Sequence, residues 1–200
     1  MMYQFPQEPK KIRERIRRYE RGMRKEYEER GFISDGYGKR YLLGILYLLL
    51  DDLEGGREFF KWFEQMFPDD IGDPFHYLCW ALTLYRLGDM EGASFRLRQA
   101  MLSNLYLIPH LLGEEQEKLD IWHGINTAEK EYLDYAPVEV LDLWDEVALG
   151  WAKRTYEGAE FQRIRNRYIE IHAQLKSEPR GPIRSGLVDE SSRLERVREV

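Results

Sequence analysis

The sequence predicts an all-α protein built from stacked helical hairpins. Two stretches, from Tyr37 to about Pro68 and from Pro74 to about Leu107, read as consecutive copies of one helix–turn–helix unit. Apolar residues recur along most of the chain at spacings of three and four, the signature of an amphipathic helix. No stretch shows the alternation with period two that marks a strand. Repeats of this kind bury a shared core by stacking and leave a curved surface free for binding.

Residues 1–7 read as a short extended lead. Pro9 fits the first position of a helix, where its missing N–H costs nothing. From there Ile12, Ile16, Tyr19, Met23 and Tyr27 form one stripe, with Arg and Glu around it and Gly31 as the stop. Ser34 to Gly38 is a turn. Tyr37 to Leu50 is apolar nearly all round and predicts a buried helix, and Glu54 to Phe67 predicts the helix that pairs with it. Pro68-Asp69-Asp70 and Gly72-Asp73-Pro74 break the chain. Asp73 is placed to cap the next helix, with Pro74 at its first position and Leu87 at its end. Gly88-Asp89 turns the chain into a helix from Met90 to Ser103. Asn104 to Gly113 is partly helical around Pro109, and Gln116 to Ile125 has no clear pattern.

Thr127 to Tyr135 predicts a helix. Pro137 to Tyr156 predicts one longer helix with Val138, Leu141, Trp144, Val147, Ala148 and Trp151 on a single face. Ala159 to Leu175 carries Phe161, Ile164, Tyr168, Ile171 and Leu175 at helical spacing. The domain plan is therefore a basic helix over 1–35, a helical body over 36–175 and a flexible tail over 176–200. Pro179, Gly181, Pro182 and Gly186 mark the tail, with room for a short charged helix from Glu190 to Glu199.

Composition bounds the function classes. At 43% hydrophobic and 14% aromatic, 200 residues supply a substantial core, which argues against disorder. The net charge of −6 is unevenly spread: Glu8 to Arg30 holds ten Lys/Arg and six Glu, a net of +4, so the rest carries −10. One cysteine, Cys79, excludes an intramolecular disulfide and a cysteine-rich zinc site. No apolar core suited to a secretory signal precedes Lys10. The longest apolar run, Tyr41 to Leu50, has ten residues, whereas about 20 are needed to cross a bilayer. The expectation is a cytoplasmic protein with no membrane partner and no cofactor.

In the second unit, Ala81 and Leu84 are followed by Gly88-Asp89, Ala93, Ala100 and Asn104; in the first, Gly44, Tyr47, Gly56, Phe60 and Pro68 fall at matching offsets. In these residues the chain resembles the tetratricopeptide-repeat family. Asp51 stands where the family has its turn glycine, Phe63 replaces an alanine, and Leu105 takes the usual proline position. The offset between units is 37 residues, not 34. The segment from Asn104 to Gly113, then Ala128 to Tyr132 and Trp144, resembles the sequel to such repeats in an uncharacterised group of bacterial proteins. That group is itself similar to the suppressor-of-tumorigenicity type of helical-repeat protein. Some of its members carry a C-terminal cysteine-rich zinc motif, and this chain has none.

The family resemblance implies a protein-interaction scaffold and supplies no reaction. It places the first helix of each unit on the inner surface, presenting Tyr41, Ile45 and Leu48, then Phe75, Leu78, Leu82 and Tyr85, as an apolar groove for a peptide or helix. The competing expectation is that another part of the chain covers this face, with the N-terminal helix as the obvious cover. A second reading makes Lys10, Lys11, Arg13, Arg17, Arg18, Arg21, Arg24 and Lys25 a patch for nucleic acid or another anionic partner. The interleaved Glu residues favour a solvated helix face instead. Arg86, Arg96 and Arg98 suggest a smaller basic patch. A third and weaker reading is an enzyme using carboxylates, from Glu114, Glu115, Glu117 and Asp120 or from Asp142, Asp145 and Glu146. His76 and Cys79 lie three apart without further ligands at motif spacing, so they read as core rather than metal site. Self-association through an uncapped repeat end is a further alternative.

Overall fold

The computed structural model describes residues 5–36 and 38–196 and is all-helical, with no strand among the described residues. Helix α1 (Pro9–Arg30) opens on Pro9 and stops at Gly31, whose φ of 74° only glycine adopts freely. It packs on α2 (Lys39–Leu49) and buries Ile12, Ile16 and Met23 of the predicted stripe. Tyr37, the expected start of the first repeat, lies outside the described residues, as do positions 1–4 and 197–200. No helix is long and apolar enough to cross a membrane among the described residues.

The two repeat units share one turn geometry at the predicted offset. The first links α2 to α3 (Leu53–Met66), and the second links α4 (Pro74–Arg86) to α5 (Met90–Ser103). In the second, Gly88 takes a φ of 80°; in the first, Asp51 takes the equivalent place at 54°. Aspartate is among the few side chains that tolerate this region, because its short polar group bonds locally. The next residue, Asp52 or Asp89, caps the following helix by accepting the N–H of Gly55 or Gly92, at 3.0 and 2.9 Å. A Cβ on either glycine would collide with the capping carboxylate. The N–H of Asp51 is returned to Leu48, and that of Gly88 to Tyr85, closing both turns alike.

Helix α2 also packs on α4, and α4 on α5, the closest pairing in the molecule. Close approach depends on small residues. A Cβ on Gly44 would lie 2.6 Å from Cζ of Phe60, which is fully buried and stacked on Trp80 at 4.8 Å. Gly44→Ala is therefore expected to lower stability by about 1–3 kcal/mol. That exceeds the gain of up to about 1 kcal/mol that alanine brings to a helix interior. A chemical denaturation midpoint measures the difference.

Three expectations are corrected beyond the repeats. After α6 (Leu107–Leu111), the chain runs without regular structure and then makes 3-10 turns at Asn126–Ala128 and Lys130–Tyr135. The single helix predicted from Pro137 to Tyr156 is instead α7 (Val138–Leu141) and α8 (Glu146–Glu157). Asp145 ends the continuity by capping α8, accepting the N–H of Ala148 at 2.8 Å. The break turns Val138 and Val147 out to solvent, while Trp144, Ala148 and Trp151 stay buried.

Helix α9 (Ala159–Leu175) has the predicted limits and buries Ile164, Tyr168, Ile171 and Leu175. The expected flexible tail over 176–200 contains α10 (Pro182–Arg196), packed on α9 and α5 through Leu187, Ser191 and Leu194. Its anchor is polar. His172 Nδ1 lies 2.7 Å from the carbonyl of Trp122 and must donate to it, which leaves Nε2 to accept from Ser191 Oγ at 3.0 Å.

Candidate functional site

The predicted groove on the inner face of the repeats is filled. Ile45, Leu48, Phe75, Leu78 and Leu82 are each at most 5% exposed, so they are core and not a docking surface. The face of the second unit is covered from the C-terminal side, not by α1. Phe75 stacks on Tyr132 at 5.4 Å, Tyr85 stacks on Trp151 at 4.6 Å, and Arg86 donates to the carbonyl of Leu143 at 2.6 Å. Tyr132 also donates to the carboxylate of Asp73 at 2.6 Å, tying the cover to the start of α4.

Tyr41 is half-buried, and its hydroxyl donates to Asp70 Oδ1 at 2.6 Å. Asp70 also accepts from Arg40 Nε at 2.9 Å and from the N–H of Gly72 at 2.7 Å. Arg40 lies 4.5 Å from the Tyr41 ring and 5.0 Å from that of Phe67, and its backbone N–H is held by the fully buried carboxylate of Asp35. These groups brace the start of α2 against the 67–72 loop. Tyr41 is a structural member of that brace.

Lys10, Lys11, Arg13, Arg17, Arg18, Arg21, Arg24 and Lys25 of α1 are all exposed. Lys11 pairs with Glu8 and Lys25 with Glu29, the short-range pairing expected of a mixed helix face. Arg86, Arg96 and Arg98 form no surface patch. Arg96 is buried over the Trp80 ring at 3.3 Å and pairs with Glu64 at 2.6 Å, and Arg98 is buried beside Phe95. Of the acidic loop, Glu114 pairs with Lys153 and Asp120 with Lys176. His76 is fully buried, and no hydrogen bond of good geometry reaches either ring nitrogen. Cys79 is buried too, and burial pushes its thiol well above the usual range. Among the described residues no three His, Cys, Asp or Glu side chains are grouped to hold a metal ion.

The groove with the most apolar lining among the described residues lies elsewhere. A groove of about 380 Å³ runs between α1 and α3 over the outer side of α2. Helix α1 supplies Glu20, Met23, Arg24 and Tyr27, α2 supplies Tyr47, and α3 supplies Glu58, Phe59, Trp62 and Met66, with Ile33 closing one end. Its floor is a run of rings: Tyr47 and Phe59 lie 6.1 Å apart, and Phe59 and Trp62 5.9 Å apart. Tyr27 is 46% exposed, Trp62 is half-buried, and the Tyr47 hydroxyl donates to Glu20. Burial and the Glu20 carboxylate raise the Tyr47 hydroxyl above its ordinary range, so it stays protonated and keeps donating.

Helix α1 has 22 residues and α2 has 11, about 33 Å against about 16 Å at 1.5 Å per residue. Tyr47, near the end of α2, meets Glu20 in the middle of α1, so the excess length of α1 lies toward its N-terminus, and Tyr27 lines the groove with Trp62 and Met66 of α3. Comparison with protein-family models, with curated proteins and with solved structures gave no match.

Proposed function

We propose that this protein is a non-catalytic interaction adaptor with two helical hairpins of tetratricopeptide type, and that it docks a partner segment in the groove between α1 and α3. One observation carries the reading: an aromatic-floored groove stays open between α1 and α3, while the inner face of the second unit is covered by Tyr132 and Trp151. A groove of this volume accepts one or two large side chains, which suits an anchoring residue on an extended or helical segment. The shared turn geometry of the two hairpins supports the repeat assignment, because stacked units position such a surface rigidly.

The proposed site differs from the one the sequence suggests, in position but not in kind. Trp62→Ala truncates the largest ring of the groove and is expected to abolish retention of a discrete partner in affinity capture while the protein stays folded, with helicity retained and melting only lowered in step with the lost ring contacts. Retention at the wild-type level would refute the groove. The basic face of α1 offers the competing reading of an anionic partner. Nucleic acid retained by the full chain, lost steeply with salt and indifferent to Trp62→Ala, would favour it.

A further inference from the structure

We propose that the occupant of the α1–α3 groove is an arginine side chain presented by the partner segment; this rests on the docking reading above. Glu20 decides the chemistry. Its carboxylate is half-buried against the aromatic floor, accepts the Tyr47 hydroxyl and makes no ion pair among the described residues. A purely apolar occupant would complete the burial of Glu20 with no countercharge, which is strongly unfavourable. An anionic occupant would face it directly. A cation satisfies it.

The walls choose among cations. Tyr27, Tyr47 and Trp62 border the groove with flat rings, and a planar guanidinium stacks on such rings while its paired N–H groups meet a carboxylate. An ammonium is more strongly hydrated and makes only point contacts, so it gains less from this site. Glu58 adds negative charge at the rim, although Lys61 at 2.9 Å already engages it. Arg24 also lines the mouth, but it is exposed and forms no ion pair with Glu20, so it does not fill the role itself. Met23 and Met66 are placed to cover the methylene stem of the incoming side chain.

The test is titration of the full chain with N-acetyl-arginine methylamide and with its citrulline counterpart, in which a neutral urea replaces the guanidinium. Binding is read from the NMR shift of the Trp62 indole N–H, assigned with Trp62→Phe. The arginine probe is expected to bind about tenfold tighter than the citrulline probe or better. Glu20→Gln, which still accepts from Tyr47, is expected to erase the difference. Equal binding of the two probes, no binding of either, or an unchanged preference in Glu20→Gln would overturn the proposal. Equal binding would leave the docking groove standing. Failure of that reading shows separately, in partner capture by Trp62→Ala.

Discussion

Replacing His76 with phenylalanine is expected to stabilise the protein and to remove a large part of its sensitivity to acid. The imidazole sits among the rings of Tyr41, Phe60 and Phe63, with centroids 4.3 to 5.5 Å away, and neither nitrogen has a partner of good geometry. Burial drives its pKa down to about 3, and the positive charge of Arg96 and Arg40 adds to the effect against the pull of Asp70. In the unfolded chain the same group titrates near 6.5. Between these values the unfolded state binds a proton that the native state does not. Stability is therefore full above the unfolded value and falls as pH drops toward 3, by about 5 kcal/mol over the whole window. His76→Phe should lack this contribution and, by removing unsatisfied polar atoms, gain about 1–3 kcal/mol at neutral pH. Urea denaturation of both proteins at pH 7, 5 and 4 measures it. The acid losses of the carboxylates are common to both, so the difference between the curves isolates His76. Parallel curves would show that the imidazole is not held neutral.

Asp70→Ala is the substitution expected to cost the most. It removes at once the acceptor for Arg40 Nε, for the Tyr41 hydroxyl and for the N–H of Gly72. The Arg40 side chain is only 18% exposed and retains a 3.4 Å contact to Asp35. Stripping one partner from a mostly buried ion pair costs about 3–5 kcal/mol, because the remaining charge stays desolvated. Asp70→Asn keeps an acceptor oxygen and should fall between alanine and wild type. The extrapolated unfolding free energies test this ordering. A loss below about 1 kcal/mol for Asp70→Ala would mean that water screens the brace as it does a surface pair.

Much of the helical order was legible because local signals were complete. Pro9 and Gly31 bracket α1, Asp73 caps α4, and the limits of α5 and α9 follow from uninterrupted apolar stripes. The two turns matched at an offset of 37 even though one uses aspartate and the other glycine, since both residues reach the left-handed region. Of α10 only the part from Glu190 was legible, as a short charged helix in a flexible tail, because its buried face is Leu187, Ser191 and Leu194. A serine interrupts the stripe, and only the fold supplies the imidazole that satisfies it. The break at Asp145 was hidden for the opposite reason: the apolar spacing runs across it, while the cap that stops the helix is a single polar residue. The site was the least legible part. Composition marks Tyr41, Phe75 and Tyr85 and also Tyr27, Tyr47 and Trp62 as aromatic. Which set is covered depends on where the 130–151 segment lies and on how α1 sits against α3, and neither is written in local pattern.

The measurement that bears most directly on the account is partner capture read beside melting temperature for Trp62→Ala and Tyr85→Ala. The account predicts that Trp62→Ala loses the partner while still folded at the capture temperature. It predicts that Tyr85→Ala, which removes the stack on Trp151, melts lower yet still holds the partner while folded. Loss of the partner by folded Tyr85→Ala, with full retention by Trp62→Ala, would return the site to the inner face of the repeats and contradict the groove.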